Sequence, residues 1–196
     1  MQLSFGQKLL VAVGVLIVVI MSVFTFTADQ RLQNTTETYV TAMLDDAVKQ
    51  STASIADWLN TRLDMTEAVA SSLRNIRTDN MARNLLDGMT RGSGAKDVYV
   101  GTTDGRMMMR TVEAEQALPA GFDPRQRPWY QQANNEGRAS FTETYQDAQT
   151  GETVLSAIAP VSSGTFQGVA GMDITLNAIQ DLLSTITLGD SGYAVL

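Results

Sequence analysis

The residues best suited to bind a small molecule lie close together in what we interpret as a single loop, the eight-residue segment 123–130. Arg125 and Arg127 each carry a planar guanidinium whose N–H donors can bind a carboxylate or phosphate through two parallel hydrogen bonds. Trp129 and Tyr130 add flat, amphipathic contact surface at low entropic cost, and two prolines stiffen the backbone around them. Such chemistry is typical of a pocket wall for an anion-bearing small molecule, and it does not resemble a reaction centre.

The composition of the chain limits what such a pocket could do. There is no cysteine and no histidine, which removes disulfides, thiolate chemistry, the usual general base at neutral pH and the commonest metal ligand. A formal net charge of −7 argues against a nucleic-acid partner, because phosphate binding needs a basic surface. We therefore expect a protein that is not an enzyme and holds no metal or cofactor, although catalysis by carboxylates alone stays open.

Residues 9–28 form an uncharged apolar run near the N-terminus. About 20 residues at roughly 1.5 Å each would cross the hydrocarbon core of a bilayer as a helix. The alternative is a cleaved signal peptide, but its apolar region is typically about 7–15 residues long. Lys8 before the run and the acidic residues after it place residues 1–8 in the cytoplasm. We expect one span of a bacterial inner membrane, with the remainder in the periplasm.

Residues 29–77 contain neither glycine nor proline, and their apolar side chains recur in steps of three and four. This spacing predicts one long helix with a continuous apolar face. The half near the membrane has two possible partners, the rest of its own domain or a second copy of the chain. For this half we expect a homodimer, and for the C-terminal half packing on its own domain.

Residues 78–187 read as one α+β domain that begins with a short helix over 81–91. Alternation and turn residues predict five strands, at 98–102, 107–112, 141–145, 153–161 and 167–174. A closing helix is predicted over 176–187. Together these elements indicate a PAS-like, five-stranded antiparallel sheet that carries the long helix. Residues 188–196 resemble a turn entering a further strand, so we expect them to begin a truncated second module of a longer protein.

The order of these blocks resembles the double-Cache (dCache) extracellular sensor domains of bacterial methyl-accepting chemotaxis proteins. The resemblance rests on the apolar anchor, the long helix, the segment 123–130, Tyr145-Gln146-Asp147 and Gly171-Met172-Asp173-Ile174. It covers most of the chain, up to about residue 187, which would be the membrane-distal module. No single block would be specific by itself.

In the amino-acid-binding branch of that family, a loop arginine and tryptophan hold the ligand carboxylate, and they match Arg127 and Trp129. Acidic and phenolic groups on the following strands hold the ligand ammonium. These match Tyr145, Asp147 and Asp173, and Tyr130 would line the pocket. The physical logic agrees, since burying either charge of a zwitterion without a partner would be costly.

The chain departs from that branch at Phe122, where a tyrosine usually helps to hold the carboxylate. Loss of the hydroxyl removes a hydrogen bond worth about 1–3 kcal/mol to a charged acceptor. The ligand is then bound more weakly, or another donor substitutes, or the ligand is not an ordinary α-amino acid.

Several of these residues have structural alternatives. Arg125 is expected to pair with Asp123 at the surface rather than to bind ligand. Trp129 could be a core residue, Asp147 an ordinary turn residue, and Asp173 a carboxylate held by structural hydrogen bonds.

The resemblance implies the ligand-sensing input region of a transmembrane chemoreceptor that binds an amino acid or a related amine. The same module could serve a histidine kinase or a diguanylate cyclase. It could also be a spacer that binds nothing, or an enzyme that uses Asp147 and Asp173 as a carboxylate pair.

Overall fold

The computed structural model describes the backbone of residues 5–184, 187–188 and 192–193. Within these ranges, the side chains of residues 7–13, 15, 28–38, 187–188 and 192–193 are not described. The chain divides into two compact units at about residue 50. The predicted second module, 188–196, lies largely outside the described residues, apart from Leu188 and Gly192–Tyr193.

One helix, α1, runs from Phe5 to Leu73. It covers the predicted helix from residue 29 and also the apolar run before it. It ends four residues earlier than predicted, because the amides of Asn75 and Ile76 bond to carbonyls three residues back, at Ser72 and Leu73. This is the tighter turn with which helices commonly end.

Among the described residues, no helix is sufficiently long and apolar to cross a bilayer. The predicted span 9–28 includes residues 9–13, 15 and 28, whose side chains lie outside the description. The membrane span and the cytoplasmic segment 1–8, whose first four residues are also outside it, therefore stay predictions.

The second helix, α2 (Asp79–Ser93), is somewhat longer than the predicted 81–91. Its boundaries follow from its caps. The Thr78 side chain accepts from the amide of Met81, and Gly94 ends the helix in the left-handed region at φ 66°.

The sheet of the second unit is antiparallel and has six strands instead of the predicted five. The strands are β1 (Asp97–Thr102), β2 (Met107–Met108), β3 (Ser140–Phe141), β4 (Tyr145–Gln146), β5 (Thr153–Val161) and β6 (Gly168–Thr175). Their order is β2-β1-β6-β5-β3, with β4 also paired to β5. Two further short strands follow, β7 (Thr187–Leu188) and β8 (Gly192–Tyr193).

The sixth strand arises because the predicted strand 141–145 is broken after Phe141. Thr142 donates its amide to the carbonyl of Ser156, but its side-chain oxygen accepts the amide of Ser156 in place of a backbone carbonyl. A threonine hydroxyl that competes for a ladder hydrogen bond interrupts pairing locally. Pairing resumes at Tyr145, which lies opposite Val154.

The segment between β2 and β3 contains helices that the sequence did not predict. Short helix α3 covers Val112–Gln116, a 3-10 turn covers Pro124–Gln126, and α4 covers Pro128–Glu136. Arg127 is extended (φ −81°, ψ 145°), as its position before a proline predicts. The interpretation of the whole segment 123–130 as a loop was wrong, because Pro128 begins a helix at the position that prolines favour.

The two faces of the sheet bury different clusters. Along β1, Val98 and Val100 pack in a cluster with the C-terminal part of α1 and with α2. Tyr99 points to the other face, where it packs with Trp129 and Tyr130 of α4. The closing helix α5 spans Leu176–Ser184, within the predicted range. The face that carries Tyr99 and α4 holds the candidate site.

Candidate functional site

A concave pocket lies on the face of the sheet covered by α4. Its floor comes from β1 and β6, and its walls come from the segment after β2, the start of α4 and the turn after β4. Six of the seven predicted site residues line it: Phe122, Arg127, Trp129, Tyr145, Asp147 and Asp173. The sequence-based grouping of these residues thus corresponds to one physical cavity.

Two glycines allow aromatic side chains to approach the floor closely. A Cβ built on Gly171 would come within 2.4 Å of the Tyr99 ring, and one built on Gly101 within 2.7 Å of Trp129. Gly171 lies directly opposite Tyr99 on the neighbouring strand. The missing side chain therefore gives the Tyr99 ring room to cross β6 and reach Asp173.

Asp173 is the buried anion of the pocket, with 4% of its surface exposed. Its Oδ1 accepts hydrogen bonds from the hydroxyls of Tyr99 (2.7 Å), Tyr145 (3.2 Å) and Ser156. Burial raises the pKa of this carboxyl to about 6, although hydrogen bonds from Ser156 and Tyr99 favour the charged form. Within the described part of the chain, no side-chain cation pairs with Asp173.

The phenols around Asp173 act as neutral donors. Burial, followed by the nearby charge of Asp173, raises the pKa of both Tyr99 and Tyr145. Their hydroxyls lie 3.2 Å apart, and that of Tyr145 is also 2.8 Å from Ser156 Oγ. All of the hydrogen bonds that the described chain gives to Asp173 end on Oδ1, which leaves Oδ2 as an acceptor toward the pocket.

Arg127 adds a positive charge to the lining of the pocket. Its Nη2 donates to the carbonyl of Gln146 over 2.9 Å. The guanidinium carbon lies 5.8 Å from the centre of the Tyr145 ring and 6.0 Å from that of Phe122. Among the described residues, no carboxylate lies within ion-pair distance of Arg127, so most of its donors are open to a ligand anion.

Arg125 behaves differently from Arg127, and its predicted surface pairing is confirmed. Its Nε lies 2.9 Å from Oδ1 of Asp123 and its Nη2 lies 2.8 Å from Oδ2. Hydrogen bonds from Arg125 also lower the pKa of the Asp123 carboxyl. This pair closes the 3-10 turn and leaves Arg125 outside the pocket lining.

Trp129 and Tyr130 are both buried, but only one of them reaches the cavity. The Trp129 ring meets Tyr99 edge-on at 5.0 Å, and Tyr130 meets Trp129 in the same manner at 5.6 Å. Trp129 lines the pocket, whereas Tyr130 lies in the layer behind it. Trp129 is therefore both a core residue and part of the pocket wall.

Asp147 lies in the pocket wall with a cation already beside it. Lys96 Nζ is 2.9 Å from Asp147 Oδ1 and 2.6 Å from Glu152 Oε2. The amide and hydroxyl of Thr150 also donate to Asp147. Burial raises the pKa of Asp147, but hydrogen bonds from Thr150 and Lys96 outweigh it and the net pKa is lowered. The charge of Asp147 is thus compensated within the chain.

The contributors to the site that were missed in the sequence include Lys96, Asp97, Tyr99 and Ser156. Asp97 and Tyr99 are two residues apart on β1, and this spacing places both side chains on the same face of the strand. The spacing was the signal that could have identified them. It could not be used without knowing that β1 lies beside β6, a pairing between residues more than 70 positions apart. Among the described residues, no cluster of three or more acidic side chains is arranged to hold a metal ion.

Comparison with known sequences gives consistent matches over nearly the whole chain. Residues 28–196 match the dCache_1 family, described as a Cache domain. The methyl-accepting chemotaxis protein PctB of Pseudomonas aeruginosa is 29% identical over 195 residues, which cover 99% of this chain and 30% of PctB. McpA of Pseudomonas putida is 28% identical over 199 residues, covering 100% of this chain and 30% of McpA. The chain therefore spans less than a third of the length of these relatives.

Solved structures agree with the sequence matches. The ligand-binding domain of the P. aeruginosa amino acid chemoreceptor PctC, in complex with GABA, has a TM-score of 0.64 and 30% identity, covering 76% of this chain and 68% of that one. That of PctB with L-Arg has a TM-score of 0.62 and 31% identity, covering 76% and 62%. That of Pseudomonas fluorescens CtaA with L-alanine has a TM-score of 0.63 and 29% identity, covering 72% and 62%.

Proposed function

The chain belongs to the dCache_1 family of Cache domains, and from that membership we propose that it is the ligand-sensing input region of a bacterial chemoreceptor. The ligand class we propose is a zwitterion or amine of low molecular mass, most specifically an amino acid. The protein would bind this ligand and signal its presence, and would not transform it.

One observation carries the proposal: a positive and a negative side chain, neither in an ion pair with another described residue, line a single pocket. Arg127 presents guanidinium donors that no described carboxylate occupies. Asp173 presents a buried carboxylate that only neutral hydroxyls hold. A zwitterion would place its carboxylate on the guanidinium and its ammonium on the carboxylate, so that neither charge is buried without a partner.

The ligands of similar proteins support this class. PctC was solved with GABA, PctB with L-Arg and CtaA with L-alanine. All three ligands carry one carboxylate and at least one cationic nitrogen, although the distance between the two groups differs. The feature that the three ligands share is therefore the zwitterion. We propose that apolar pocket residues such as Met107, Met109 and Leu118 set which amino-acid side chain the pocket prefers.

Signalling would follow from a population shift. A ligand held by both Arg127 and Asp173 ties the start of α4 to the central strand β6 and favours the closed arrangement of these elements. The ligand can shift the equilibrium only by its difference in affinity for the two arrangements. We propose that the shift passes into the helices that continue toward the membrane.

The setting of the receptor is also part of the proposal. Residues 9–28 would anchor the chain in the inner membrane, with the sensor in the periplasm and a second copy of the chain as partner. The PctB and McpA names support a methyl-accepting chemotaxis output, and a histidine kinase or diguanylate cyclase is the alternative. A module that binds nothing and only spaces another sensor is the remaining alternative.

A thermal-shift screen of the full chain in mild detergent tests the function. The panel contains L-alanine, L-glutamine, L-arginine and GABA, with polyamines and organic acids alongside. A ligand at a hundredfold excess over its Kd stabilises the folded state by about 2.7 kcal/mol, which shifts the melt measurably.

We expect a shift with at least one amino acid, and we expect Arg127→Ala to abolish it. Arg125→Ala is the matched control, because it removes a guanidinium two residues away that is paired at the surface. A shift with polyamines or acids alone would replace the ligand class. A folded sample that no compound stabilises would leave the spacer alternative.

A further inference from the structure

Asp97 is a buried carboxylate of the pocket that none of the roles above explains. It lies at the start of β1, lines the pocket and is 9% exposed. Its Oδ1 is buried and has no hydrogen-bond partner among the described residues. The nearest cation, Nε of Arg110, is 3.8 Å away on a side chain that is 41% exposed. A buried carboxylate oxygen in that state is costly unless something else binds it.

The strand register places Asp97 beside the predicted ammonium site. Asp97 of β1 is directly opposite Asp173 of β6, so both side chains emerge on the pocket face. Opposed residues of this kind have Cβ atoms roughly 4.5–5.5 Å apart, and like charges in such positions destabilise a sheet. A cation between the two carboxylates would relieve this repulsion.

No described cation bridges the two carboxylates. Arg110 lies 3.8 Å from Asp97 Oδ1 on a partly exposed side chain, and it makes no described ion pair with Asp173. Lys96, the residue before Asp97, directs its ammonium to Asp147 and Glu152. Arg127 donates to the carbonyl of Gln146 instead of to either carboxylate. The hydroxyl partners of Asp173 are neutral, and they all meet its Oδ1.

We propose that Asp97 and Asp173 together hold one primary ammonium group of the ligand, which bridges the two opposed carboxylates. This assignment rests on the proposed function and extends it, because it adds to the ammonium site a residue that the sequence comparison does not identify. A primary ammonium has three N–H donors, and a bridge between two carboxylates uses two of them. Asp97 would then be a determinant of preference for amines over plain carboxylic acids.

Calorimetric titration of the full chain tests the assignment with paired ligands that differ only in the amino group. The pairs are GABA with butyrate and L-alanine with propionate. The variants are Asp97→Asn, Asp97→Ser as a smaller second substitution, and Asp104→Asn. Asp104 is the matched control, since it lies in the exposed turn between β1 and β2 and the substitution removes the same charge.

We expect Asp97→Asn to weaken binding of the amine member of a pair by about tenfold to a hundredfold, the range for losing one charge-assisted hydrogen bond. Butyrate or propionate should change by less than about threefold, and Asp104→Asn should change neither member. In the ligand-free protein, Asp97→Asn should leave Tm unchanged or raise it, because it removes the opposed like charge.

The outcomes that overturn the assignment are distinct from failure of the proposed function. Unchanged affinity for the amine member in both Asp97 variants would remove Asp97 from the site. Equal losses for the amine and its plain acid, or a lower ligand-free Tm, would make Asp97 structural. Failure of the wild-type chain to bind any panel member would overturn the proposed function, and this assignment with it.

Discussion

At the scale of single residues, the titration of Asp173 links the chemistry of the pocket to stability. Burial raises the pKa of this carboxyl from an ordinary 3.8 to about 6. The folded protein therefore holds the proton more tightly than the unfolded chain does. The contribution to stability is fully present below about pH 4 and is lost as pH rises through about 6. Asp97 titrates in the same direction, because burial raises its pKa also.

The first prediction follows from this sign. Between pH 4 and 7, the ligand-free protein should lose stability relative to Asp173→Asn, which lacks the titrating group. Thermal melts of the two proteins across this range measure the difference. A difference that stays constant with pH would contradict the raised pKa of Asp173.

Protonation of the Asp173 carboxyl should also control the binding of an amine, and this is the second part of the first prediction. A ligand ammonium needs the charged carboxylate, so affinity for L-alanine should rise with pH up to about 6 and then level off. Tyr99 and Tyr145 do not titrate in this range, since burial raises the pKa of both phenols. An affinity that is flat from pH 5 to pH 7.5 would show that Asp173 does not face the ammonium.

The second prediction concerns Phe122, which lines the pocket with its ring centre 6.0 Å from the Arg127 guanidinium. Phe122→Tyr would add a hydroxyl near the Arg127 guanidinium, which we propose to hold the ligand carboxylate. Affinity for α-amino acids should then rise by about tenfold, as for one hydrogen bond to a charged group. Calorimetry with L-alanine and ethylamine measures the effect. A gain for ethylamine, which has no carboxylate, would refute the stated reason.

At the scale of elements, the sequence predicted the strands and helices better than it predicted their arrangement. Long elements with a clear period were found, such as β5, β6 and the long helix. Helix α4 was missed because Pro128 was treated as a loop signal when it begins a helix. The break after Phe141 was missed because the Thr142 hydroxyl takes over a ladder hydrogen bond, a contact that no local pattern reveals.

The third prediction tests how two strands position the site. Gly171→Ala would place a Cβ within 2.4 Å of the Tyr99 ring, so the ring must leave its place across β6. The hydrogen bond from Tyr99 to Asp173 would then be lost, and overpacking typically costs about 1–3 kcal/mol. Melts should show lower stability, and calorimetry should show weaker binding of amino acids.

Gly88→Ala is the control for this substitution. Gly88 lies on α2, where an added Cβ meets nothing within 4 Å, and alanine in a helix is better tolerated than glycine. Its melt should match or exceed that of the wild type. If Gly171→Ala also melts and binds as the wild type does, the close packing of Tyr99 on β6 has no role in the site.

At the scale of the whole molecule, the family and the sensor class could be predicted from the sequence, and the resemblance is confirmed by the match over residues 28–196. Arg127 and Asp173 were identified as candidate site residues through the family resemblance, and both line the pocket. Asp97 was not identified, because its place in the pocket depends on which strand lies beside β1. Sheet order joins residues that are far apart in the chain, so it is the least accessible feature to sequence reasoning.

The fourth prediction concerns assembly of the first unit. Tyr39, Val40, Met43 and Leu44 lie on one face of α1 and are each at least half exposed. An apolar face of this kind is typical of a helix that pairs with a second copy. The full chain in detergent should be a dimer by light scattering, and Met43→Lys combined with Leu44→Lys should give a monomer.

Asp45→Lys is the control for that double variant. It makes the same change in net charge on the opposite face of the helix, so the dimer should persist. Dissociation by both variants alike would indicate a charge effect, and no dissociation by either would remove this face as an interface.

The central claim is that Arg127 holds the carboxylate of a zwitterionic ligand and Asp173 holds its ammonium. The most direct measurement is a calorimetric cycle in which L-alanine, propionate and ethylamine are each titrated into the wild type, Arg127→Ala and Asp173→Asn. We predict that Arg127→Ala weakens L-alanine and propionate but not ethylamine, and that Asp173→Asn weakens L-alanine and ethylamine but not propionate. The opposite pairing, or equal losses for all three compounds, would contradict this account.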